Sequence, residues 1–233
     1  MDYELYRAID DLAARHRVFA HAVSGLESYG VVLYALATVG LWLLARPGGS
    51  RRWKLASASA LVSCGLALLV NRVIADLWHR PRPYETHPGA YHLTSSHDPS
   101  FPSDHASASL AIAFAVVAFD TAVGLAFLGA AILISVGRLF VGAHYPGDLL
   151  GSGLVALTSA ALVVSSGRPF VESVVRLVER ATDPVTALLP RRGRAAGSAI
   201  SAVDARRAVL AAAVTLTLGT LALAILLLEQ TLD

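Results

Sequence analysis

Six long apolar runs constrain this chain more than any other feature of its sequence. A helix needs roughly 20 residues to cross a hydrocarbon core of about 30 Å, and in lipid only a helix satisfies the backbone hydrogen bonds of an open chain. The chain is 55% hydrophobic and 15% charged, too apolar for an ordinary soluble domain of 233 residues. We therefore predict an all-α, polytopic membrane protein with six transmembrane helices in one domain, residues 1–233. The runs cover residues 29–45, 55–78, 105–119, 122–141, 146–166 and 208–228.

Two segments outside these runs have the periodicity of amphipathic helices. Residues 2–17 carry Leu5 and Ile9 at helical spacing, and residues 169–181 carry apolar residues in the same pattern. Both are predicted to lie at the membrane interface. A partner-binding role is the alternative for the second. It belongs to a connection, about residues 167–207, whose remainder has the basic composition of a flexible cytoplasmic linker.

The basic residues favour one orientation in the membrane. Short cytoplasmic loops carry an excess of Lys and Arg, and residues 46–54 and 167–207 together hold twelve of them. The N-terminal segment and the loop of residues 79–104 together hold five. We therefore expect both chain termini, this loop and the 142–145 turn on the outer face. Arginine outnumbers lysine eighteen to one, a bias that we attribute to a GC-rich genome, so the expected location is the bacterial cytoplasmic (inner) membrane.

Three polar clusters meet at this outer face. The first contains Arg82, the second Ser103 and the third Arg138. Arginine presents a rigid fork of donors that matches phosphate oxygens, and it keeps its charge at any relevant pH. Ser103 stands at the predicted start of a helix, where unpaired backbone N–H groups favour an anion. These three residues are the candidate phosphate-binding residues.

Two histidines and one carboxylate are the candidate catalytic residues. His144 and Asp148 are four residues apart, and Pro146 between them suits the first position of a helix. An aspartate that accepts the proton of one imidazole nitrogen leaves the other nitrogen free to attack. His105, in the first turn of the third run, is placed to donate a proton. Each motif alone also fits a structural role, and it is their joint occurrence on one face that points to catalysis.

The order of these motifs resembles that of the type 2 phosphatidic acid phosphatase superfamily, the lipid phosphate phosphatases. The matching residues are Arg82-Pro83, then Pro102-Ser103-Asp104-His105, then Arg138, His144 and Asp148 at spacings of five and three intervening residues. The sequence departs from the family pattern at three positions. Gly137 stands where the family has serine, Asp104 where it has glycine, and Ala75 where it has lysine.

The resemblance implies an enzyme that works through a phosphohistidine. His144, oriented by Asp148, would attack phosphorus, and His105 would protonate the leaving oxygen. Residues 71–83 and 100–106 are similar to the undecaprenyl-diphosphate phosphatases linked to bacitracin resistance, which favours undecaprenyl diphosphate, the lipid carrier of cell-wall synthesis, as the substrate. Phosphatidic acid, phosphatidylglycerophosphate and another prenyl phosphate are alternatives. A membrane scaffold or transporter that binds lipid phosphate is the non-enzyme alternative.

The lysine missing at Ala75 leaves two interpretations of Arg72. Its long side chain could reach toward the interface and replace the lysine, or it could form an i,i+4 ion pair with Asp76. The ion pair is the simpler interpretation.

The sequence does not indicate a metal centre. The outer loop is rich in histidine, but its histidines lack ligand spacing on a fixed element. The one cysteine, Cys64, excludes an internal disulfide and a paired-cysteine metal site. We expect no metal and no cofactor, a lipid phosphate and the membrane as partners, and no nucleic acid. The loop histidines are His79, His87, His92 and His97.

Overall fold

The computed structural model describes residues 2–44 and 51–187, and this part of the chain is entirely helical apart from its connections. The predicted sixth span, residues 208–228, and most of the predicted linker lie outside the described residues. The helices are α1 (Asp2–Arg15), α2 (Arg17–Leu44), α3 (Arg51–Leu77), α4 (Pro83–Thr86), α5 (Asp104–Phe119), α6 (Thr121–Phe140), α7 (Pro146–Ser165) and α8 (Arg168–Ala187).

Among the described residues, four helices are long and apolar enough to cross a membrane: α2 over Ala20–Trp42, α3, α6 and α7. The helix α5 is also apolar but has only 16 residues, which gives a length of about 24 Å. Over residues 2–44 and 51–187 the all-helical fold with helices of membrane-spanning length is therefore confirmed, whereas the count of six spans stays a prediction.

The short helix α5 lies at the centre of the bundle, packed against α3, α6 and α7. Its buried positions are mostly small, and Ala111, Ala113 and Ala115 are completely buried. Small residues let helices approach closely. In lipid, where burying apolar side chains gives no hydrophobic driving force, this close packing is what holds helices together. The start of α5 lies between the C-terminal part of α3 and the N-terminal part of α7, since Asp104 contacts Asn71 and Ser103 contacts Ser152.

The turn between α5 and α6 is tight because one residue ends the first helix and begins the second. Asp120 is the C-cap of α5 and the N-cap of α6, and its carboxylate accepts the Val123 N–H at 3.2 Å. A Cβ atom on Gly124 would lie 2.4 Å from the Val117 backbone. Glycine is therefore required at this crossing.

The two predicted amphipathic helices are present as α1 and α8, and they cover opposite ends of the bundle. Val171 and Val175 of α8 pack on Leu55 and Val163, at the first turns of α3 and the last turns of α7. The helix α1 instead lies at the end where α7 begins, since Gly147 donates its backbone N–H to Asp2. The polar loop between α3 and α5 lies at this same end.

Candidate active site

Arg82 is held by backbone oxygens from two separate segments. It caps the short helix α4 and its side chain is buried. Its Nε donates to the carbonyl oxygen of Asp98 at 2.8 Å, and its Nη1 donates to that of Ala143 at 3.2 Å. These bonds fix the guanidinium plane between the 79–104 loop and the α6–α7 turn.

Arg138 lies in the last turn of α6 and is also buried. Burial lowers the pKa of Arg82, and the nearby charge of Arg138 lowers it further. Two guanidinium groups that repel each other inside the protein favour an anion as their ligand, because a phosphate oxygen accepts charge-assisted hydrogen bonds from both. The structure thus brings together two of the three predicted phosphate-binding residues.

Ser103 is the N-cap of α5 and is fully buried. Its backbone N–H, expected to face a ligand, is instead taken by the Ser152 hydroxyl at 2.8 Å. Its own hydroxyl has no hydrogen-bond partner among the described residues. A buried hydroxyl without a partner is unfavourable, so the hydroxyl of Ser103, rather than its amide, is the group suited to a phosphate oxygen.

His144 lies in the turn before α7 and is only 2% exposed. Its Nδ1 lies 2.6 Å from the carbonyl oxygen of Ser100 and 3.9 Å from Oδ2 of Asp148. A carbonyl oxygen accepts hydrogen bonds and cannot donate them, so Nδ1 carries the proton and Nε2 keeps its lone pair. The expected direct hydrogen bond to Asp148 is therefore wrong in detail, because a backbone carbonyl occupies that position.

The electrostatic surroundings keep the His144 imidazole neutral. Burial lowers the pKa of His144 well below 6.5, and the charges of Arg138 and Arg82 lower it further. A neutral imidazole with a free Nε2 is the form that attacks an electrophile. The charge of His105 also contributes to this lowering, so the two candidate histidines interact electrostatically.

Asp148 is completely buried and accepts hydrogen bonds on both oxygens. Oδ2 accepts from the Ser100 hydroxyl at 2.5 Å and from the Tyr145 N–H at 2.8 Å. Oδ1 accepts from Nη1 of Arg80 at 2.5 Å. The carboxylate therefore links the start of α7 to the 79–104 loop and lies beside the His144 ring.

Ser100 connects these groups and was not among the predicted site residues. Its N–H donates to the Arg80 carbonyl at 2.7 Å, its hydroxyl donates to Asp148, and its carbonyl accepts from His144. The signal available in the sequence was its position just before Pro102 and Ser103. A serine in a loop has many possible roles, so that signal is weak.

One departure from the family pattern, Asp104, has a structural partner, and so does Arg72, the residue considered as a replacement for the lysine missing at Ala75. Asp104 replaces a glycine, and its carboxylate accepts a hydrogen bond from the buried Asn71 side chain of α3 at 2.7 Å. Arg72 forms the i,i+4 ion pair with Asp76 at 3.1 Å, with both side chains largely exposed. The ion-pair interpretation of Arg72 is confirmed.

Two of the four histidines in the 79–104 loop pack against aromatic side chains. The His87 ring stacks on Tyr3 at a centroid distance of 3.9 Å, and His92 lies 4.8 Å from the Tyr84 ring. Across residues 2–44 and 51–187, no group of three or more His, Cys, Asp or Glu side chains is arranged to hold a metal ion.

The long apolar helices, together with a site of two buried arginines and a neutral histidine, are those of a helical membrane protein with a buried basic site suited to an anion. Comparisons identify its family. Residues 56–170 match the family model of the PAP2 superfamily. Undecaprenyl-diphosphatase BcrC from Bacillus subtilis (strain 168) is 30% identical over 189 residues, which are 80% of this chain and 96% of BcrC. The chain belongs to the PAP2 superfamily and is a phosphatase.

Two further comparisons concern a second relative and the fold. Decaprenylphosphoryl-5-phosphoribose phosphatase from Mycobacterium tuberculosis (strain ATCC 25618 / H37Rv) is 31% identical over 150 residues, 61% of this chain and 77% of that protein. The crystal structure of LpxE from Aquifex aeolicus has a TM-score of 0.56 and 21% identity, covering 70% of this chain and 93% of LpxE. The likeness to LpxE is one of fold.

Proposed function

We propose that this phosphatase hydrolyses undecaprenyl diphosphate to undecaprenyl phosphate and inorganic phosphate, with its site at the outer face of the bacterial cytoplasmic membrane. The observation that carries the proposal is the His144 imidazole, neutral and held through Nδ1 by the Ser100 carbonyl. Such a ring presents Nε2 as a nucleophile beside two buried arginines. A transporter or scaffold that only bound lipid phosphate would need the arginines but not this imidazole.

The first step transfers the terminal phosphoryl group to the enzyme. Arg82, Arg138 and the Ser103 hydroxyl hold the phosphate oxygens and stabilise the charge that they carry in the transition state. Nε2 of His144 forms a bond to phosphorus while the bond to the bridging oxygen breaks. The products of this step are a phosphohistidine and undecaprenyl phosphate, whose oxygen takes the electron pair.

The second step regenerates the enzyme. Water attacks phosphorus, the bond to Nε2 breaks, and phosphate leaves. His105, whose charge acts on His144, takes the proton of the attacking water in this second step. In the first step, His105 donates a proton when the leaving group is strongly basic. Arg82 and Arg138 supply the positive charge, so the proposed reaction needs no divalent metal.

The identity of the lipid rests on the relatives. BcrC is named an undecaprenyl-diphosphatase, and the candidate binding residues are suited to the phosphate of a prenyl diphosphate and not to any particular lipid chain. The Mycobacterium tuberculosis relative is named for a decaprenyl-linked phosphoribose, which makes a prenyl-linked sugar phosphate the second candidate. In both candidates the lipid is a long prenyl chain.

The test is phosphate release by the purified full-length protein in a buffer that contains EDTA. Undecaprenyl diphosphate, decaprenylphosphoryl-5-phosphoribose, phosphatidic acid and phosphatidylglycerophosphate are assayed in parallel, with His144→Ala protein as the background control. We expect kcat/KM to be highest for undecaprenyl diphosphate and activity to survive the chelator. A higher kcat/KM for a glycerophospholipid, or activity restored only by an added metal, would overturn the substrate or the metal-free reaction respectively.

A further inference from the structure

The N-terminal helix α1 reaches the site through its first residue. The Asp2 carboxylate accepts from Nη2 of Arg80 at 2.7 Å on one oxygen and from the Gly147 N–H at 2.8 Å on the other. The other terminal nitrogen of Arg80, Nη1, donates to Asp148. A continuous chain of hydrogen bonds thus runs from α1 through one guanidinium group to the carboxylate beside His144.

The surroundings are shaped for this contact. A Cβ atom on Gly147 would lie 2.9 Å from Oδ2 of Asp2, so glycine leaves the space that the carboxylate occupies. The Arg80 guanidinium lies over the Tyr145 ring, 4.3 Å from its centroid, and the Tyr6 ring of α1 packs edge-on against Tyr145 at 5.5 Å. Packing and charge therefore hold α1 in one place relative to Arg80.

We propose that Asp2 is a positioning residue of the reaction, which acts through Arg80 to hold the Asp148 carboxylate beside His144. The inference rests on the proposed phosphohistidine mechanism. Arg80 is shared by two carboxylates, of which Asp148 is fully buried and Asp2 is about one-third exposed. Asp2 restrains the guanidinium, which can then neither turn toward a substrate phosphate nor draw Asp148 away from the imidazole.

The contribution of Asp2 belongs to the transition state. As the bond from Nε2 to phosphorus forms, positive charge develops on the imidazole, and the Asp148 carboxylate at 3.9 Å from Nδ1 stabilises it. The ground state has a neutral imidazole and gains little from that charge. Misplacing Asp148 should therefore lower kcat and leave KM nearly unchanged.

The variant Asp2→Asn removes the charge that faces Arg80 and keeps an oxygen acceptor for the Gly147 N–H. Asp11→Asn is the matched control, because Asp11 is exposed on the same helix and its substitution removes the same charge. Both substitutions are made in the full-length wild type and in the Arg80→Gln background. The measurements are kcat, KM and the thermal midpoint.

We expect Asp2→Asn to lower kcat about 10-fold, with KM within about twofold, and Asp11→Asn to change neither. In the Arg80→Gln background Asp2→Asn should have no further effect on kcat, because its route to Asp148 is already cut. Asp2→Glu should restore part of the loss.

The inference is overturned if Asp2→Asn keeps wild-type kcat, lowers kcat equally in both backgrounds, or lowers it only in step with the thermal midpoint. If Asp2→Asn does not fold, the same comparison with Asp2→Glu decides, since an effect that persists in full without Arg80 contradicts the proposal. Failure of the proposed function looks different: the wild type then releases no phosphate above the His144→Ala background.

Discussion

Nδ1 of His144 lies 2.6 Å from the Ser100 carbonyl oxygen and 3.9 Å from the Asp148 carboxylate, so the backbone and not the acid holds the imidazole proton. This relationship separates two tasks that a catalytic aspartate often performs together. The carbonyl fixes the tautomer, and the carboxylate supplies negative charge near a ring that becomes positive during the reaction.

The first prediction follows from that separation. Because Ser100 keeps Nδ1 protonated, Asp148→Asn should retain the reactive tautomer and lose mainly charge stabilisation, a loss of about 10²-fold in kcat. Steady-state kinetics of the variant and the wild type give the ratio. A loss of about 10⁴-fold or more, the size associated with a wrong tautomer, would contradict the role assigned to the Ser100 carbonyl.

The second prediction concerns stability and pH. The pKa of His144 is lowered well below 6.5 by burial, and then by Arg138 and Arg82, so below pH 6.5 the unfolded chain binds a proton at His144 that the folded protein does not. The stability is therefore full above pH 6.5 and is lost as the pH falls, by at most about 1.4 kcal/mol per pH unit from this group.

His144→Asn is the comparison for that pH effect, because an asparagine amide can still donate to the Ser100 carbonyl but does not titrate. The thermal midpoint of the wild type should fall more steeply between pH 6.5 and 5 than that of the variant. The remaining histidines contribute equally to both proteins. Parallel slopes would show that His144 keeps an ordinary pKa.

The third prediction distinguishes leaving groups. Cleavage of a prenyl diphosphate expels a prenyl phosphate, whose second pKa is about 6 and which leaves without a proton. Cleavage of phosphatidic acid expels an alkoxide, for which a general acid contributes about 10²–10⁴-fold. His105→Ala should therefore harm phosphatidic acid hydrolysis much more than diphosphate hydrolysis. Equal fractional losses of kcat on the two substrates would contradict His105 as the leaving-group acid and leave it only a role that both substrates share, as base for the attacking water or in phosphate binding.

The fourth prediction places the site relative to the membrane. Ser95 is exposed in the loop over the site, and Arg176 is exposed on α8 at the opposite end of the bundle. In a Cys64→Ala background, an impermeant thiol reagent should label Ser95→Cys in intact cells, and Arg176→Cys only after lysis. The reverse labelling pattern would contradict the orientation predicted from the basic loops.

The sequence predicts the helices best where an apolar run has polar ends. The runs 55–78 and 146–166 correspond to α3 at Arg51–Leu77 and α7 at Pro146–Ser165. The run 29–45 begins twelve residues after the first residue of α2, which is Arg17. An apolar run predicts only the part of a helix that lies in lipid. It does not predict the part of the same helix that continues through polar residues.

The site was predictable where side chains carry the chemistry. His144 and Asp148 could be paired from their i,i+4 spacing, and the structure places them side by side. The Ser100 carbonyl could not be found in this way, because every residue has a backbone oxygen and only the fold decides which one faces the ring. The contact between Asp2 and Arg80 joins segments 78 residues apart, and no local pattern links them.

The phosphohistidine can be tested directly with prenyl diphosphate labelled on its terminal phosphate. The enzyme is mixed with this substrate, quenched in alkali within one turnover, and digested for mapping of the labelled peptide. Acid lability of the label distinguishes a phosphohistidine from a phosphoserine. His105→Ala serves as the control, because its diphosphate leaving group needs no proton and the intermediate should still form.

The wild type should carry an acid-labile phosphoryl group on the peptide that contains His144, and His144→Ala should carry none and release no phosphate. Label that persists in His144→Ala, or that maps to another residue in the wild type, would contradict His144 as the nucleophile.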